Sequence, residues 1–166
     1  MVPADGGAPL EARPPSLEDL VRLCRALNRE QARYVVIGGM AVIQAGFPRA
    51  TQDIDLLIDA SPDNIARVRR ALLDLPDQAV RDMGEDDLAK YVVVKVADEI
   101  VVDLMARAGG VEYEEASRMV EVTDVEGVAI PFAGPALLLK TKQTVRDRDR
   151  IDREYLDLLL RETGGA

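Results

Sequence analysis

Residues 34–58 constrain the fold of this chain more than any other stretch. Tyr34-Val35-Val36-Ile37 is an apolar run of the length of a short buried strand, Gly38-Gly39 turns it into a short helix, and residues 53–58 read as a second strand. Side chains alternate along a strand, so Asp53 and Asp55 project together while Ile54, Leu56 and Ile58 point the other way into a core. At a separation of about 6.5 Å and an effective dielectric near 20, the two carboxylates repel by about 2.5 kcal/mol. A divalent cation reverses that sign, and hard Mg²⁺ takes the oxygen ligands that such a pair offers. The diglycine, having no Cβ atoms, lets backbone N–H groups approach an anion such as a phosphate at the start of the helix. Each feature alone has an ordinary explanation, a tight turn in one case and a solvated strand edge in the other. Their spacing is what points to phosphate and metal.

The same residues resemble the DNA polymerase β-like nucleotidyltransferases, especially their minimal bacterial members. The pattern is Gly-Gly-x-Ala followed by Arg-x-Thr-x-Asp-Ile-Asp-Leu, met here as Gly38-Gly39-Met40-Ala41 and Arg49-Ala50-Thr51-Gln52-Asp53-Ile54-Asp55-Leu56. This form is closer to the toxin-type branch, the AbiEii-like proteins of toxin–antitoxin and phage-defence systems, than to the antitoxin-type enzymes, which usually carry Gly-Ser followed by Ala-Arg-Gly. The resemblance spans most of residues 34–160. It implies an α/β fold of the α+β kind, a mixed β-sheet flanked by helices with a C-terminal helical cap. It also implies one or two Mg²⁺ ions and a nucleoside triphosphate substrate, ATP among the candidates.

A chain of 166 residues, 48% of them hydrophobic, is long enough for one domain with a real core and short for two. Its single cysteine, Cys24, rules out an intramolecular disulfide framework and falls in a helical pattern as a packed residue. With no signal-like or long apolar segment, a cytoplasmic protein without a membrane span is expected. The chain has no histidine, which excludes Ser-His and Cys-His nucleophilic schemes and His-ligated zinc, so any chemistry must run on carboxylates and cations. A net charge of −9 argues against broad nonspecific nucleic-acid binding and leaves only local recognition of an RNA.

Residues 1–15, with their prolines and Gly6-Gly7, read as a disordered arm, and residues 16–166 as a single domain whose helical part begins at about 134. Ser16 opens a helix with Asp19 in a variant capping box, and Leu17, Leu20, Val21, Cys24 and Leu27 form its apolar stripe. Pro62 starts a second helix with Ile65, Val68, Ala71, Leu72 and Leu75 inward and Arg67, Arg69 and Arg70 on a solvated face. After an acidic loop over 81–87, Tyr91-Val92-Val93-Val94-Lys95-Val96 and Ile100-Val101-Val102-Asp103-Leu104-Met105 form an antiparallel hairpin about Asp98-Glu99. Residues 118–123 and 128–131 form another, short and peripheral. Gly134-Pro135 starts a helix through Lys140, and Ile151, Tyr155, Leu156, Leu159 and Leu160 mark a last amphipathic helix.

Asp103 is an acid within an otherwise apolar strand, on the face of Val101 and Met105, and such a residue either needs a partner or faces water at an edge. The resemblance implies a third carboxylate from a neighbouring strand, and Asp103 is its best match. The resemblance thus makes Asp53, Asp55 and Asp103 the catalytic and metal-binding set, with Gly38, Gly39, Arg49, Thr51 and one of Lys140 and Lys142 binding the nucleotide. Arg49 either neutralises phosphate or pairs with Asp53 or Asp55. The dense alternation of charge over 140–152 is ordinarily a solvated, salt-bridged surface. It also resembles the family's C-terminal signature, matched by Arg146, Arg148, Asp149 and Asp152, in which a helix lysine reaches the nucleotide phosphates.

The chemistry so implied is in-line transfer of a nucleoside monophosphate to an acceptor hydroxyl, with release of pyrophosphate. The acceptor is an RNA, a tRNA end above all, or else a partner protein or a small molecule such as an antibiotic. A third reading is a non-catalytic nucleotide-binding or interaction protein. The short chain further suggests a cognate antitoxin or a second copy as partner.

Overall fold

The computed structural model describes residues 12–141 and 147–163. The first helix, α1 (Leu17–Arg29), begins as its sequence requires. The Ser16 hydroxyl accepts from the Asp19 N–H, and the Asp19 carboxylate accepts from the Ser16 N–H at 2.7 Å, a reciprocal capping box. Leu20, Val21, Cys24 and Leu27 are buried as the stripe predicts, whereas Leu17, in the first turn, is half exposed. Burial pushes the Cys24 thiol up to about 12, which leaves it an inert packing group.

Strand β1 (Tyr34–Ile37) then runs into α2 (Gly38–Gln44). Strand β2 (Asp53–Ile58) returns antiparallel to β1, and α3 (Pro62–Leu72) follows with proline in its first turn. Between α3 and the next strand lie a 3₁₀ turn (Ala79–Asp82) and the short α4 (Asp87–Lys90), where the sequence shows only an acidic loop. Strands β3 (Val94–Ala97) and β4 (Val101–Met105) form the expected hairpin. The small β5 (Arg107–Ala108) and β6 (Val111–Glu112) pair with each other, and α5 (Tyr113–Ala116) leads through a second 3₁₀ turn into β7 (Val120–Val125) and β8 (Val128–Ala133). The described chain closes with α6 (Pro135–Thr141) and α7 (Asp147–Glu162).

Six strands form one mixed sheet in the order β3-β4-β2-β1-β8-β7. β2 pairs parallel with β4, and β1 pairs parallel with β8 through Val36 opposite Phe132. The hairpin expected at the periphery therefore enters the main sheet, with buried β8 beside β1 and only β7 at the edge. One sheet face carries Tyr34, Val36, Ile54, Leu56, Ile58, Val102 and Leu104, all buried; the Tyr34 hydroxyl donates to Asn28 of α1, which places α1 over this face. α3 packs against α1 and is fastened by Asn64, fully buried, which accepts from the Arg33 N–H and donates to the carbonyls of Arg33 and Asp59. A buried amide with its bonds satisfied fixes the helix to the strand ends in a way apolar packing alone does not.

Two further expectations are revised. Tyr91, Val92 and Val93 lie outside the sheet and are exposed; continued, the β3–β4 register would set Val92 and Tyr91 opposite Ala106 and Arg107, beyond the end of β4 at Met105. Arg67, Arg69 and Arg70 are not simply a solvated face: Arg69 donates to the Met83 carbonyl, Arg70 to Glu30 and Arg67 to the Gln31 carbonyl. Within the stretch read as a disordered arm, Arg13 is docked, its N–H on the Glu99 carbonyl at 3.0 Å and its guanidinium on Asp19 and Glu99. No helix among the described residues is long and apolar enough to cross a membrane.

Candidate active site

Register brings the acids together. On the sheet face opposite α1, Asp55 of β2 stands beside Asp103 of β4, and Asp103 stands beside Lys95 of β3. Asp53 is two residues along β2 on the same face. One carboxylate oxygen from each of Asp53, Asp55 and Asp103 lies within 4.8 Å of the others, Asp53 and Asp55 half-buried and Asp103 buried. At that distance and an effective dielectric near 20, each charged pair repels by about 3.5 kcal/mol, so the cluster needs positive charge.

Part of that charge comes from the protein. Lys95 Nζ donates to Asp103 Oδ1 at 2.9 Å. Burial pushes the Asp103 carboxyl above its ordinary value, the Lys95 bond opposes this, and the Asp53 charge adds to the rise. The Lys95 ammonium is raised in turn, chiefly by its bond to Asp103 and then by the charges of Asp103, Asp53 and Asp55. Hydropathy gives no sign of Lys95, because it alternates with Val94 and Val96 like any outward residue of an amphipathic strand. Only its register against Asp103 reveals it.

The diglycine has a geometric role that the sequence does not disclose. Gly38 has φ +69°, a left-handed conformation, and a Cβ there would overlap Oδ2 of Asp55. A Cβ on Gly39 would lie 2.6 Å from Thr51 Oγ1 and 3.4 Å from Arg49 Nη1. The two glycines thus make room for the Asp55 carboxylate and for the Arg49–Thr51 segment. Thr51 is buried and its hydroxyl donates to the Asp53 carbonyl at 3.0 Å, which holds the start of β2.

Arg49 has a partner on another element. Its Nη1 donates to Asp152 Oδ2 of α7 at 2.6 Å, with the Arg49 side chain 12% and the Asp152 side chain 1% exposed. The pair ties α7 to the segment that precedes the acids. Tyr155, one turn further along α7, stacks on Phe47 with ring centroids 4.8 Å apart and donates to the Ala45 carbonyl. Lys140 is bonded to Glu115 of α5 at 3.0 Å, with both groups half exposed, rather than to a carboxylate of the cluster. Lys142 and Arg146 lie outside the described residues, as do the side chains of Arg148 and Asp149.

The donor set fits a hard divalent cation. Three carboxylates offer oxygen alone, the chain contains no histidine, and its one thiol is buried in α1, so the cluster suits Mg²⁺ far better than a soft metal.

No family model matches the sequence, and no curated protein matches it. Solved structures do match. A protein of Thermotoga maritima provisionally assigned as a nucleotidyltransferase superposes with a TM-score of 0.52 at 19% identity, over 88% of this chain and 92% of its own. An antigenic nucleotidyltransferase-like protein of Paracoccidioides brasiliensis superposes with a TM-score of 0.55 at 17% identity, over 89% of this chain and 78% of its own. At such identities the likeness establishes the fold. This chain has a nucleotidyltransferase-like fold, with an acidic cluster able to hold a metal on its sheet.

Proposed function

We propose that the protein transfers a nucleoside monophosphate from a triphosphate to an acceptor hydroxyl. The observation that carries this reading is the convergence of Asp53, Asp55 and Asp103 from two parallel strands, beside a diglycine turn that leaves the cluster open. In this reading Asp53, Asp55 and Asp103 would hold Mg²⁺, which would supply positive charge against the phosphate oxygens. The acceptor oxygen forms a bond to the α-phosphorus, the bond from that phosphorus to the bridging oxygen breaks, and pyrophosphate leaves. Asp103, whose carboxyl is raised above its ordinary value by burial, takes the acceptor's proton. Gly38 and Gly39 border the phosphates. Lys140 would have to exchange Glu115 for phosphate to take part, and Lys142 stands as the other candidate. Arg49 acts at one remove, fastening α7 through Asp152.

The toxin-type resemblance of the Gly38–Leu56 motif favours an RNA acceptor such as a tRNA end, with an antitoxin or a second copy as partner. The net charge of −9 favours a protein or small-molecule acceptor instead. Incubation with α-phosphate-labelled ATP, GTP, CTP or UTP and Mg²⁺, in the presence of total tRNA or of cell protein, separates the two. Label that enters either fraction with wild-type protein and not with Asp53→Asn supports transfer and names the acceptor class. Nucleotide binding with no transfer to RNA, protein or a panel of hydroxyl-bearing small molecules would support the non-catalytic alternative.

A further inference from the structure

Lys95 lies outside the motif that defines the acidic cluster, on the edge strand β3, yet it is in contact with that cluster. Its Nζ is 2.9 Å from Asp103 Oδ1, and its side chain is 58% exposed. Among the described residues its hydrogen-bonded carboxylate is that of Asp103, and the charges of Asp53 and Asp55 act on it at longer range.

We infer that Lys95 makes the site discriminate between a free divalent cation and a metal–triphosphate complex. The inference rests on the proposed function and assigns that site a further specificity-determining residue. A bare dication approaching the three carboxylates meets a fixed positive charge already bonded to one of them, and its binding is weakened. A metal–triphosphate complex carries net negative charge. It supplies the cation to the carboxylates and phosphate oxygens to the ammonium, which can swing from Asp103 on its flexible stem because more than half of it is in water. One side chain therefore acts with opposite sign on the two ligands. A purely structural lysine, holding β3 against β4, would act with the same sign on both.

Mn²⁺ alone serves as the probe of free-metal binding, followed by water-proton relaxation. Calorimetry with each of the four ribonucleoside triphosphates in Mg²⁺ serves as the probe of the complex. In Lys95→Met, Mn²⁺ alone binds on the order of fivefold tighter and the metal–triphosphate on the order of fivefold weaker, the scale of a half-exposed ion pair. Lys95→Arg retains the wild-type order of both. Unchanged affinities, or affinities that move in the same direction, overturn the inference and leave the site itself standing. Absence of both Mn²⁺ and metal–triphosphate binding in wild type as well overturns the reading of the site, and this inference with it.

Discussion

Gly38→Ala is expected to lose at least 1–2 kcal/mol of stability from its left-handed φ alone. By displacing Asp55 it should also abolish Mg²⁺-dependent nucleotide binding, which denaturant titration and calorimetry would measure side by side. Asp53→Asn should do the opposite to stability, leaving the melting temperature equal or higher because one of three mutually repelling charges is removed. A lower melting temperature in that variant would make Asp53 a structural residue. Asp53 and Asp55 were legible because period-two alternation places them on one face whatever the tertiary fold, and Asp103 because an acid in an apolar strand calls for a partner. What alternation cannot supply is which strand stands next to which. Lys95 and the Arg49–Asp152 pair went unread for that reason, since each depends on register or on contact across 103 residues. Gly38 was legible as a glycine that something must approach, though the approaching group is the Asp55 carboxylate of the protein itself.

At the scale of elements, α1 was read from its first residue because its start is written locally in Ser16 and Asp19. The Arg13 guanidinium, with the Ser16 bonds, holds the Asp19 carboxyl well below the usual carboxylate range. A pKa lower in the folded than in the unfolded chain means that the stabilisation is present above the ordinary aspartate value of about 4 and is lost as pH falls below it. Asp19→Asn should therefore cost about 1–2 kcal/mol at pH 7, with Arg13 half exposed and partly screened. That difference from wild type should shrink as the pH of a urea titration is lowered below about 4. β3 shows the complementary failure: Tyr91-Val92-Val93 has strand-forming residues, yet strand formation needs a partner, and the β3–β4 register would set Val92 and Tyr91 beyond the end of β4. For α7 the decisive link is buried. Arg49→Met removes one partner of the almost wholly enclosed Asp152, at a cost of about 1–3 kcal/mol, and Asp152→Leu in the same chain should recover part of that loss.

The whole molecule is a mixed sheet whose two halves meet at β1 and β2. The acids stand on β2 and β4, Gly38 of α2 lies against Asp55, and Arg49 ties α7 to the segment that precedes β2. The class of fold was readable from the alternation of strands and helices together with the resemblance of one motif. The parallel entry of β8 beside β1 was not, because a short strand of β-branched and aromatic residues carries no mark of the neighbour it will choose. In the proposed function this architecture brings a triphosphate and a divalent metal to three carboxylates. Calorimetric titration of ATP, GTP, CTP and UTP into wild type and Asp53→Asn, each with and without Mg²⁺, tests it without knowledge of the acceptor. At least one triphosphate is expected to bind wild type in the presence of Mg²⁺, and that binding to disappear when either Mg²⁺ or the Asp53 carboxylate is removed. Binding that persists in Asp53→Asn, or no binding of any triphosphate to wild type, would contradict it.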